Sequence, residues 1–419
     1  MDWVVPGRYR RQSMNNRFPI AWLALIGICG ALSGGCRPSG DERAIVAYSE
    51  LTGVRKSHHR GLTDELARLE AESATPLQLQ SQRRADLPRE RNAADLLLRI
   101  LSAPAEKRLR EQLEPLRTCF LHPTPGERRT LLRMVDQHHV TCAAIHAALV
   151  QPECQFPLRF DHGWLNDASW LDATEALAHL QLLAAASQWH QNDAMRALEQ
   201  LRDVMRVVDL LSAEPWLMAR VLAARLRWSA LALIEQIGCD PRTDGEVIAG
   251  LAQMLELQLE NWPDDDRALI GERAMGMHAF EMVRDGHLAS LLTRHDMLQF
   301  HDRERLLDSL LEVTRQVDDD EHYYLQVMRR IIDAGSRPGG ERERLLQDLI
   351  AELQADSNAD PHHRVSRLIL LADLPSSLQC LARDRGACES TLDRLRAIPA
   401  TDNNGDDARS ARRSDTEYR

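Results

Sequence analysis

Aromatic residues are scarce in this chain, at 5% of 419, and beyond its first 36 positions no apolar run approaches the length of a membrane span. A bilayer core takes about 20 consecutive apolar residues per helix, so an integral multi-span protein is excluded. Nowhere is there sustained apolar–polar alternation of the kind a half-buried strand needs. A glycine-rich phosphate loop, a His-Glu-x-x-His pair, a Gly-x-Ser-x-Gly context and a Cys-x-x-Cys pair are all missing. Their absence removes the short motifs that would declare a nucleotide enzyme, a zinc protease, a serine hydrolase or a thiol redox protein, and no cofactor is expected. The formal charge of -11 also lacks the positive field that non-specific nucleic-acid binding requires.

What is present begins with a leader. Arg8, Arg10, Arg11 and Arg17 precede an apolar stretch from Phe18 to Leu32, and Ser33-Gly34-Gly35 leads to Cys36. This three-part form is that of a secretory signal. It resembles a bacterial lipoprotein signal, in which a lipid-linked cysteine becomes the mature N-terminus, although Ser33 stands where leucine is usual. The resemblance implies export, lipidation at Cys36 and a body facing the periplasm or cell envelope. Ordinary cleavage or an uncleaved anchor are the alternatives. Removing residues 1–35 takes away four arginines and Asp2, leaving a formal charge of -14. Export also permits disulfides among Cys119, Cys142, Cys154, Cys239, Cys380 and Cys388. Cys380 and Cys388 form the closest pair, and bridging them requires a turn at Gly386.

The remainder reads as all-α, an irregular array of antiparallel helical hairpins, ten to thirteen helices in all, solenoid-like but without a fixed repeat period. Its most strongly patterned stretch is Asn192 to Cys239. Leu198, Leu201, Met205 and Val208 line one helix behind a cap at Asn192 or Asp193. After Ser212-Ala-Glu-Pro215, a second face carries Leu217, Val221, Ala224, Trp228, Leu231 and Ile234. The expected divisions are a leader (1–35), a tether (36–41), an N-terminal helical region with an aromatic loop (42–165), a central helical region (166–334), a linker (335–340), a C-terminal helical region (341–400) and a disordered tail (401–419). A long helix is expected over Glu127–Val150, and an ordered, core-packed loop over Gln151–Asn166 with Phe156, Phe160 and Trp164.

Four groups could carry chemistry. His139, Cys142 and His146 share a helix face at i, i+3 and i+7 and would need a distant carboxylate to complete a metal site; a packed histidine group is the plainer reading. Asp161-His162 in the aromatic loop is the best local place for acid–base work, though such neighbours are common by chance. Glu272 and Arg273, with His278 and Glu281, suit ion pairing between packed helices more readily than a ligand site. Asp318 to Glu321 lacks the spacing of a calcium loop and suits a helix start. Trp170, Trp189, Trp216 and Trp228 are read as core before they are read as a ligand groove.

Asp193-Ala-Met-Arg-Ala197-Leu198, running to Glu214-Pro215 and a second apolar helix, resembles exported helical proteins of planctomycete bacteria. Arg367–Arg385 is similar to the arginine-led helix of that family. Gly386 to Asp393 stands in place of its turn, with Ala387-Cys388 where tyrosine-proline is usual. The resemblance implies an exported all-helical fold; the family brings no activity, cofactor or catalytic residue with it. The expected function is therefore a membrane-tethered scaffold or protein-interaction protein of the envelope, with the lipid bilayer (through Cys36) and an envelope protein as partners. The alternative is an envelope hydrolase or small-ligand-binding protein using the aromatic loop, with His162, Asp161, Glu272 and His278 as its residues.

Overall fold

The computed structural model describes residues 59–83, 87–287, 291, 315–335, 337, 339–356, 363 and 365–398. Both the leader with Cys36 and the tail after 400 lie outside them, as do a helix expected over Leu288–Met297, apart from Leu291, and one expected over Arg303–Val313. Among the described residues the fold is all-α, with no strand and one isolated bridge, Asn92 to Glu153.

The helices are α1 (Arg60–Ala71), α2 (Pro76–Gln82), α3 (Ala93–Ile100), α4 (Ala103–Leu113), α5 (Pro125–Gln137), α6 (His139–Leu149) and α7 (Ser169–His190). They continue as α8 (Ala194–Ser212), α9 (Leu217–Gly238), α10 (Gly245–Glu260), α11 (Asp265–Arg284), α12 (Val317–Gly335), α13 (Gly339–Asp356) and α14 (Leu374–Arg396). Local chemistry places many of their ends. Thr75 with Gln78 and Thr124 with Glu127 form reciprocal capping boxes ahead of a proline at the first helical position. Asp193, rather than Asn192, caps α8 by accepting the Arg196 N–H at 3.1 Å. The acidic run at 318–320 fills the first turn of α12, where the helix dipole favours negative charge.

α8 packs on α7 and α9, and this trio is the centre of the larger of two apolar clusters. The second gathers α1, α11, α12 and α13. α9, α11 and α14 contribute to both clusters, so one continuous set of helices joins them. Leu201 and Met205 are fully buried as expected, but Val221 and Trp228 are only half-buried. α9 is enclosed on most of its sides, including those bearing Arg220 and Arg227, so its apolar stripe alone does not define its packing.

Two further expectations are corrected. Glu127–Val150 is not one helix: His138 leaves helical dihedrals (φ -108°, ψ 15°) and separates α5 from α6. Gly386 does not end a helix, because α14 runs unbroken through it to Arg396. At Gly271, which the sequence marks as a weak point of its helix, a Cβ would run into the Pro215 carbonyl. Glycine there is what lets α11 lie directly against the joint before α9.

Candidate functional site

His139, Cys142 and His146 of α6 do line an open cavity, of about 570 Å³, bounded by Val135 of α5, Ala184 and Gln188 of α7, and Glu199, Gln200, Arg202 and Asp203 of α8. The i, i+3, i+7 spacing puts the three on one face, and the close packing of α7 on α8 supplies the opposite wall. At its centre stands Asp203, 7% exposed. The His146 Nδ1–H donates to its two oxygens at 3.0 and 3.1 Å, and Gln181 Nε2 donates to Oδ2 at 2.9 Å. Burial raises the Asp203 pKa, against the lowering effect of His146.

This arrangement does not make a cysteine nucleophile. Burial, helped by the Asp203 charge, pushes the Cys142 thiol up to about 11, whereas a reactive cysteine needs its pKa lowered. Nor do the three α6 side chains converge as a metal centre. His139 turns its Nδ1–H to the Asp136 carbonyl at 2.8 Å, and no group of three His, Cys, Asp or Glu side chains that could hold a metal ion occurs among the described residues.

The other sequence-derived residues are taken up by the fold. Asp161 is paired with Arg159, whose Nε donates to Oδ1 at 2.9 Å, and His162 lies in the short helical segment Phe160–Leu165, kinked at Gly163. His278 is fully buried beneath that segment, its Nδ1 accepting the Trp164 backbone N–H at 2.9 Å. Gly163 between them has φ +50°, and a Cβ there would strike the His278 ring. Glu281 pairs with Arg284 at 2.8 Å. Glu272 faces the start of α9, bonded to the Leu217 backbone and the Trp216 side chain, with its Oε2 out of solvent and unpartnered. Of the aromatic loop's rings, Phe156 and Phe160 are buried and Trp164 is half-buried; Phe156 stacks on Trp170 at 4.5 Å.

Desolvation raises Glu272 to about 7. Its folded pKa therefore exceeds the unfolded value of 4.5, and the contribution of its neutral form to stability is fully present below about pH 4.5. That contribution is lost as pH rises to 7. Unfolding free energies of wild type and Glu272→Gln, measured from pH 4.5 to 7.5, should diverge with rising pH by at most about 3 kcal/mol, the variant showing the flatter profile. Parallel profiles would remove Glu272 as the source.

The six cysteines in the described body are all free thiols in this structure. For Cys380 and Cys388 the reason is geometric: eight rises of one continuous helix separate their α-carbons by about 12 Å, beyond the reach of about 6.8 Å for a disulfide. The turn that the resemblance placed after Arg385 is correspondingly absent.

Sequence reading missed the polar residues with the deepest burial. Arg220 and Arg227 of α9, 0% and 1% exposed, both bind Asp384 of α14, also 0% exposed. Arg220 reaches Asp384 at 2.8 Å and Asp265 of α11 at 2.8 Å. The Trp262 ring lies over both guanidiniums, at 5.4 and 4.4 Å from its centroid. A second hub is Glu214, which accepts from Arg83 Nη1 and the Phe156 N–H, each at 2.9 Å. A third joins Arg284 to Glu281, Asp318 and Glu321. The seven-residue spacing of Arg220 and Arg227 was visible as one helical face, but nothing local distinguishes it from a solvated one.

No family model, curated protein or solved structure matches the chain. Its class is thus defined by the structure alone: an all-helical protein whose described residues hold no clear catalytic or metal site.

Proposed function

We propose that the protein is a membrane-tethered helical scaffold or interaction protein of the cell envelope, built as an irregular array of helix pairs with α8 and α9 at its centre. What supports this reading is the use made of its polar interior. His278 and Glu272 serve as partners of neighbouring chain segments, Asp161 is tied to Arg159 within its own loop, and the buried charges join helices to one another. A hydrolase would need such groups converging on a cleft open to substrate. The tether rests on the leader, with its basic start, apolar stretch and small residues before Cys36. No described helix is long and apolar enough to cross a membrane.

Metabolic acyl labelling in cells should depend on Cys36, with Cys36→Ser both unlabelled and released from the membrane fraction. Two or more chains are needed for a durable hold, so salt should not extract the wild type. A mature protein that retains Met1, or membrane attachment unaffected by Cys36→Ser, overturns the tether. In-cell crosslinking tests the interaction half: a specific envelope protein joined to the wild type supports it, and a body that crosslinks to nothing above background overturns it.

A further inference from the structure

We propose that the cavity between α5, α6, α7 and α8 binds a small organic ammonium ion, such as a diamine. This site is independent of the tether and of any protein partner. Its size falls within the range of small-molecule pockets, about 300–1,000 Å³. Val135, Ala143 and Ala184 give it an apolar wall for a short carbon chain.

The polar lining holds an acceptor without a partner: Gln200 Oε1 is out of solvent with no hydrogen bond. Gln181, fully buried behind Asp203, directs its amide N–H groups to Asp203 and to the Cys142 carbonyl and so fixes the carboxylate. Leaving the Gln200 oxygen unpaired is costly, so a ligand that supplies donors is stabilised there. An ammonium group carries three donors and no acceptor, which matches this inventory.

Charge points the same way. Glu199 and Asp203 share the α8 wall with one arginine, Arg202, so carboxylates outnumber guanidiniums in the lining. An anion would meet two carboxylates. Asp203 is held by hydrogen bonds from Gln181 and His146, so it is oriented before any ligand arrives. Burial still disfavours its charged form, and a cation within the cavity would offset that.

The test is titration calorimetry of the chain without its leader, using putrescine, with glycerol and acetate as comparison probes. Putrescine should bind once per chain and shift the His146 ring resonances, while acetate does neither. Asp203→Asn and Gln200→Leu should each weaken putrescine by at least about tenfold, the scale of one charge-assisted hydrogen bond. Glu352→Gln, on the far surface against Arg330, should leave it unchanged. Gln200 is only half-buried, so its variant serves if Asp203→Asn fails to fold. Absence of putrescine binding, binding untouched by a folded variant, or glycerol binding as tightly as putrescine would each overturn the proposal.

Discussion

Replacing Asp384 with alanine should destabilise the protein by about 3–5 kcal/mol, because it leaves two buried guanidiniums without their shared counter-charge. Arg220 keeps its bond to Asp265, while Arg227 loses the carboxylate it contacts. The hub already has atoms without partners, Arg220 Nη2, Arg227 Nε and Asp384 Oδ1, so little local hydrogen bonding is in reserve. Trp262 offsets part of the loss, by up to about 2 kcal/mol for a desolvated cation over an indole face. Denaturant unfolding followed by circular dichroism measures the change. The decisive companion is the triple replacement Arg220→Met, Arg227→Met, Asp384→Leu. If stranded charge causes the loss, the triple variant should regain most of the stability of the wild type. A triple variant as unstable as Asp384→Ala would instead assign the effect to packing between α9 and α14.

Glu214→Ala should cost about 3–4 kcal/mol, and its effect should be concentrated in one place. Glu214 is 5% exposed and holds both Arg83 and the Phe156 N–H. Arg83 also donates from Nη2 to the Phe156 carbonyl at 2.7 Å, so three chain segments meet at this carboxylate. Without it a nearly buried arginine and a buried backbone donor are both unpaired. Hydrogen exchange should then accelerate through Gln151–Asn166 before it does so in α8 or α9, since a region with broken local bonds opens at lower free energy than the core. Glu214→Gln keeps an acceptor for Phe156 but removes the charge facing Arg83, and should lose about half as much. Uniform acceleration across all the helices would show that Glu214 supports the whole body rather than the loop.

The stretch around α8 shows how far local pattern reaches. Leu201 and Met205 recur at helical spacing, Asp193 precedes them as a cap, and both side chains are buried in the helix so predicted. Breaks near Pro123, Pro215 and Pro263 also mark real helix boundaries, because proline restricts the backbone whatever surrounds it. The aromatic loop was legible for a similar reason: Phe156 and Phe160 are too apolar to leave in water, and both are 1% exposed. His139, Cys142 and His146 were legible as a face, though not as the wall of a cavity.

Side chains whose meaning depends on chain-distant partners were not legible. Arg227 and Asp384 are 157 residues apart, and each alone has the composition of a solvated surface. Asp203 lies 57 residues from His146, and only the packing of α8 near α6 turns a histidine face into an oriented acid–histidine pair. The cysteine pair failed for the opposite reason: Gly386 permits a turn but does not compel one, and burial of Cys388, Leu392 and Leu395 stabilises a continued helix more than its glycine weakens it. Helical periodicity, capping and proline breaks act within a few residues, so the sequence by itself determined the all-helical class and most helix boundaries. Burial of charge and convergence of polar groups are long-range consequences of packing, and only the tertiary structure decided which carboxylates join helices and which one faces a cavity.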